Sequence, residues 1–153
     1  AHREKVERYG APALAEGARL ACGGRRPQDP ALRNGFFYEP TVLADVQPHM
    51  RVACDEIFGP VLAVLRWRDE DELFDAVNGL PFGLTGSLWT RDLDTAHRAA
   101  RRIRTGYVWI NHSSQHFLGA PFGGVGHSGI GREECFAEMR EFSYTKNVNL
   151  RFG

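Results

Sequence analysis

Between His2 and Gly17 the apolar residues Val6, Tyr9, Ala13 and Leu14 recur at helical spacing, and Gly17 marks a C-terminal stop. Pro12 falls inside that stretch, so the pattern predicts a helix that is kinked or divided. A short apolar run, Ala18 to Cys22, leads into a loop rich in Gly, Pro and Arg from Gly23 to Gly35. Residues Phe36 to Val46 read as extended chain broken at Pro40. After a turn at Gly59-Pro60, Val61 to Trp67 is an almost continuous run rich in Val and Leu. Strands covered on both faces have that composition, which points to a parallel sheet.

The second half repeats a simple alternation. Asp69 to Asn78 reads as a helix, with Asp69 and Glu72 as a capping box and Gly79 as its stop. Leu84 to Thr90 reads as a strand. Asp92 to Ile103 is a helix with Ala96, Ala99, Ala100 and Ile103 on one face and its acids ahead of its arginines, as the helix dipole favours. Thr105 to Asn111 is the next strand. Strand and helix in turn, with short connections, predict an α/β fold: an open parallel sheet built from βαβ units. A glycine-rich stretch from 112 to 131 then interrupts the regularity, and Glu133 to Glu141 reads as a short helix. In the tail Tyr144, Val148, Leu150 and Phe152 share one face at strand period.

Composition narrows the classes. The 153 residues are 42% hydrophobic and 25% charged, about one domain's worth of chain and enough to bury a core without disulfides or metals. Nineteen basic residues balance nineteen acidic ones, which argues against a dedicated nucleic-acid or anionic-membrane binder. No apolar run is long enough to span a bilayer, and the opening residues are too polar for a signal peptide. Cys22, Cys54 and Cys135 are sparse, odd in number and without a CxxC pair, so free thiols in a cytoplasmic setting are expected. The first methionine is Met50 and the chain opens inside a helical pattern, which reads as a piece of something longer.

Several motifs have an ordinary reading. Gly124 to Gly129 matches GxGxxG but does not join a strand to a long helix, so it is not expected to be a dinucleotide fingerprint. His112 and His116 are four apart in a loop without helical register, and no metal site is expected there. Arg98, Arg101, Arg102 and Arg104 read as the solvated face of a helix rather than a phosphate patch. Two segments are more informative. In Asp55-Glu-Ile-Phe-Gly-Pro60 an acid could accept hydrogen bonds from a vicinal diol and an aromatic could pack on a planar ring; an acidic helix end before a turn fits equally well. In Pro121-Phe-Gly-Gly124 with Ser128-Gly129, paired glycines allow close backbone approach to a ligand or to another segment.

Taken together, these residues resemble the C-terminal part of the NAD(P)-dependent aldehyde dehydrogenase superfamily. The likeness runs collinearly through Glu16-Gly-Ala18, Gly23-Gly24, Phe37-Tyr-Glu-Pro-Thr-Val42 and Glu56-Ile-Phe-Gly-Pro-Val61. It continues through Phe82-Gly-Leu-Thr-Gly-Ser87, Gly106-Tyr-Val-Trp-Ile-Asn111, Pro121-Phe-Gly-Gly-Val125 and Ser128-Gly-Ile-Gly-Arg-Glu133. Each motif is weak by itself; the order and spacing carry the resemblance.

The resemblance implies that Glu56 binds the hydroxyls of the nicotinamide-side ribose, that Phe58 contacts the nicotinamide of NAD or NADP, and that Leu84 flanks it. It implies that Phe122 and the loop from His112 to Phe117, with His116 and Phe117, wall an aldehyde tunnel. Gly126 stands where the family often has lysine, which leaves the subfamily open. The family's nucleophilic cysteine, in a Gly-Gln-x-Cys setting, has no counterpart here, so no catalytic residue is expected within these residues. Residues 1–142 are expected to be the C-terminal portion of a catalytic domain and 143–153 an oligomerisation strand that makes a homo-oligomer. Two classes follow: a piece of an oxidoreductase, which is the preferred reading, or a non-catalytic interaction module that keeps the subunit-contact strand.

Overall fold

A computed structural model describes residues 1–153. Its contacts divide the chain into two compact units, Ala1–Glu70 and Asp71–Gly153, where the length alone suggests one.

The first unit opens with the divided helix. Helices α1 (His2–Glu7) and α2 (Gly10–Ala15) break at Arg8-Tyr9, which places Pro12 in the first turn of α2, where its missing N–H costs no helical bond. Gly17 ends the pair at φ 108°, a left-handed conformation that a Cβ would oppose. Strand β1 (Arg19–Cys22) pairs antiparallel with β2 (Thr41–Ala44), and β2 pairs parallel with β3 (Val61–Ala63). The short helix α3 (Arg51–Cys54) connects β2 to the loop before β3. Val6, Tyr9, Ala13, Ala18, Leu43, Val46, Met50, Val52 and Ile57 form one buried core. The Val61–Trp67 run does give a strand in parallel pairing, β3 with β2, but it is not covered on both faces within these residues: Leu62, Val64 and Trp67 are exposed.

The second unit holds α4 (Glu70–Asn78, which begins at the boundary), β4 (Phe82–Gly83), β5 (Thr85–Leu88), α5 (Leu93–Arg102), β6 (Tyr107–Ile110), β7 (Val125–Gly126) and α6 (Phe136–Glu141). Strands β5 and β6 are parallel neighbours joined through α5, which is a βαβ unit; β4 and β7 are antiparallel. The Asp92 carboxylate caps α5 by accepting from the Thr95 N–H at 2.7 Å. Arg102 is tied down rather than solvated: it donates to Asp71 at 2.6 Å and lies over the Phe74 ring. The fold is therefore α/β with parallel strand pairs, its hydrogen bonding split into three small sheets. Two expected boundaries move for a local reason. Asn111 at φ 60° stops β6, and Glu134 at φ 61° prevents α6 from starting at Glu133. The tail beyond Phe142 joins no ladder, and its residues are exposed.

Candidate functional site

The Asp55–Pro60 segment follows α3. Its two acids have different surroundings. Asp55 accepts from Arg51 Nε at 3.0 Å and from the Tyr9 hydroxyl at 3.1 Å. Those bonds, Arg51 first, hold its carboxyl below the usual carboxylate range. Asp55 is thus committed to packing. Glu56 is exposed, and only its backbone carbonyl is engaged, by Lys5 Nζ at 3.2 Å. Ile57 between them is a core residue. The alternation follows from extended backbone, which sends Ile57 inward and its neighbours outward.

Phe58 then adopts φ 58°, uncommon for a bulky residue. Its carbonyl is held by His2 Nε2 at 2.6 Å, and the His2 ring meets the Phe58 ring edge-on at 6.5 Å. Phe58 as a whole is 74% exposed. It borders a cavity of about 380 Å³ together with Phe36, Tyr38 and Gly59. An acid whose carboxylate is uncommitted and an aromatic with an open face are the donor set that a ribose diol and a nicotinamide ring require, so these residues fit the cofactor the resemblance implies.

In the second unit Leu84 lies between β4 and β5 and is exposed. It shares a cavity of about 610 Å³ with Phe122, Gly123, Gly124, Ser128 and Arg132. The structure therefore brings an expected cofactor residue and an expected tunnel residue to one hollow. The glycines around it serve backbone packing. A Cβ on Gly106 would collide with the carbonyl of Gly123, so β6 and the loop touch main chain to main chain. The GxGxxG stretch is a turn docked on β4: Gly83 N–H donates to Ser128 Oγ at 3.0 Å, and Arg132 holds the Gly124 carbonyl at 2.8 Å.

The 112–122 segment gathers rings. His116 stacks on Phe122 with centroids 4.3 Å apart and lies near-parallel to Trp109 at 5.9 Å. Tyr107 packs on both Trp109 and Phe122. His112 contacts Trp109 and Phe117 edge-on and keeps Nδ1 buried without a partner. His116 Nδ1 meets Glu134 Oε1 at 2.7 Å. The three thiols are free, each nearest a backbone carbonyl, with Cys54 Sγ 3.1 Å from that of Pro48.

Sequence reasoning missed Glu134, Trp109 and His2 as supports of these sites. Trp109 lay inside a quoted motif but read only as a strand residue. Glu134 is 18 positions from His116, and no periodicity links them.

A profile of the aldehyde dehydrogenase family matches residues 1–148. The chain is 48% identical over its full length to aldehyde dehydrogenase tropH of Talaromyces stipitatus, of which it covers 30%. It is 44% identical over 96% of its length to betaine aldehyde dehydrogenase of Bacillus subtilis, again covering 30%. Among solved structures, betaine aldehyde dehydrogenase of Staphylococcus aureus in complex with NAD⁺ superposes with a TM-score of 0.87 at 40% identity, over 92% of this chain and 28% of that one. The chain thus spans under a third of the length of these proteins.

Proposed function

The chain belongs to the aldehyde dehydrogenase family, and from that premise we propose that it is the C-terminal portion of an NAD(P)-dependent enzyme's catalytic domain. The reaction is oxidation of an aldehyde to a carboxylate through a cysteine thioester, with the nucleophile supplied from upstream of these residues. The single observation that carries this reading is the Glu56–Phe58 pair: an exposed acid and an exposed ring held by a backbone that His2 and Lys5 clamp. Glu56 would accept the ribose hydroxyls and Phe58 would contact the nicotinamide, the roles the resemblance carries onto them, as it carries a nicotinamide-flanking role onto Leu84. Bound there, the nicotinamide cofactor supplies the hydride acceptor. His116, Phe117 and Phe122 wall the path of the aldehyde.

On this reading the segment alone is inactive, because none of Cys22, Cys54 or Cys135 stands in the nucleophile's setting. Residues 143–152, exposed and alternating at strand period, would pair across a subunit boundary in a homo-oligomer. Cytoplasmic residence follows from the free thiols.

The test is Glu56→Gln in the full-length enzyme. Weakening a charged acceptor of hydroxyls removes roughly 1.5–3 kcal/mol, about one to two decades in rate where the bond tightens in the transition state. Single-turnover hydride transfer should slow by that amount while the circular dichroism spectrum is unchanged. Unaltered rates together with unaltered cofactor affinity would remove Glu56 from the site. An in-frame Gly-Gln-x-Cys in the coding sequence ahead of Ala1 is the companion observation.

A further inference from the structure

His116 is held more tightly than a wall residue needs to be. One ring face lies on Phe122 at 4.3 Å, and its Nδ1 is 2.7 Å from Glu134 Oε1. The backbone that carries this carboxylate is itself held in place. Glu134 sits at φ 61°, its carbonyl accepts from Gly119 N–H at 2.8 Å, and its own N–H donates to Glu138 Oε2 at 2.6 Å. A residue in that conformation persists only where its surroundings over-determine it, and such strain gathers at working sites.

The chemistry of the pair has one solution. An ionised carboxylate only accepts hydrogen bonds, so Nδ1 must carry the proton. In the neutral imidazole that leaves Nε2 with a lone pair, on an exposed side chain where Nε2 makes no hydrogen bond within the chain. Free histidine favours the opposite tautomer, so the carboxylate decides what the wall presents.

We propose that Glu134 is a positioning residue that locks His116 as its Nδ1–H tautomer and so places a hydrogen-bond acceptor, Nε2, on the aldehyde path, selecting aldehydes that carry a hydroxyl over apolar ones of similar size. The selection rests on the reading above that His116 walls that path; the tautomer does not. A site built to accept from a hydroxyl discriminates against a substrate that lacks one, because its polar atom is then left unpaired. Beside the His116 ring lie the rings of Phe122, Tyr107 and Trp109, and of these only Tyr107 carries an oxygen that could itself accept from a small donor.

The experiment uses the full-length protein labelled with ¹⁵N-histidine. Two-bond ¹H–¹⁵N correlation at mildly alkaline pH reads the tautomer, and His116→Phe assigns the resonance. Wild type should show a protonated Nδ1. Glu134→Leu should return His116 to the Nε2–H form, whereas Glu134→Gln, whose carbonyl still accepts, should retain Nδ1–H and serves as the fold control. In parallel, the ratio of kcat/KM for 3-hydroxypropanal to that for propanal should fall about three- to tenfold in Glu134→Leu, through KM for the hydroxylated aldehyde, and recover in Glu134→Gln. A His116 pattern indifferent to Glu134→Leu overturns the proposal, as does a switched tautomer with an unchanged ratio. Wild-type protein that oxidises neither aldehyde with NAD⁺ or NADP⁺ counts instead against the assigned reaction and the selection built on it, while the tautomer result stands or falls by itself.

Discussion

The two units solve the same problem differently. Ala1–Glu70 is held by a conventional core of nine buried residues, among which Leu43 and Val46 are almost wholly inaccessible. Asp71–Gly153 has only Phe74, Ala96 and Trp109 buried among its apolar residues, and leaves Leu118, Ile130, Phe142 and the tail's apolar face in the open. What shapes it is backbone contact, with glycine against glycine under the ring cluster. The unit carrying Glu56, the proposed cofactor acid, rests on volume, and the unit carrying the proposed tunnel rests on clearance. A mutation should hurt each by a different mechanism.

The most direct way to sharpen that contrast is truncation. Leu43→Ala should cost about 2–5 kcal/mol, as large-to-small changes in a closed core do, whereas Ile130→Ala should be close to neutral. Urea midpoints of the two variants check this, and equal losses would erase the contrast. The converse change is Gly106→Ala, which adds one methyl group where the Gly123 carbonyl already sits. Overpacking of this kind costs about 1–3 kcal/mol, and it should raise susceptibility to proteolysis in the 112–131 segment before any change is seen in residues 1–70.

The smallest effect is a pH slope. Glu7, bonded by Arg26, and Asp55, bonded by Arg51 and Tyr9, have carboxyls held below their usual range, both in the first unit. Asp92, capping α5, is the corresponding group in the second. A carboxyl lowered by folding contributes stability above its unfolded pKa and loses it as pH falls through its folded one. Melting temperature should therefore decline on acidification through the carboxylate range, and Asp55→Asn should flatten part of that decline. An identical acid slope in the variant would show that Asp55 takes no part.

Regular elements were the legible part of this molecule. The divided first helix, the capped α5 and the parallel β5–β6 pair all follow from local pattern, since capping residues, proline and apolar period act within a few positions. The Val61–Trp67 strand misled because apolar composition reports that a segment is meant to be covered, not which residues cover it. The loop from 112 to 134 was opaque for another reason. Its conformation depends on backbone encounters such as Gly106 with Gly123, and on a carboxylate 18 residues from the ring it holds. Glu56 and Phe58 could be picked out by resemblance, yet their carbonyls are held by Lys5 and His2, which no motif flagged.

Lys5 has one more consequence. Lysine is scarce here, with seventeen arginines against Lys5 and Lys146 alone, so reagents that acylate side-chain amines address just two places. One is the ammonium that steadies the carbonyl of Glu56, and the other is the exposed tail. Acylation at Lys5 would erase its charge and two of its three donors, loosening the clamp on the acid without touching the acid itself. A covalent footprint of these residues is thus a two-channel reporter, one channel beside Glu56 and one in the tail.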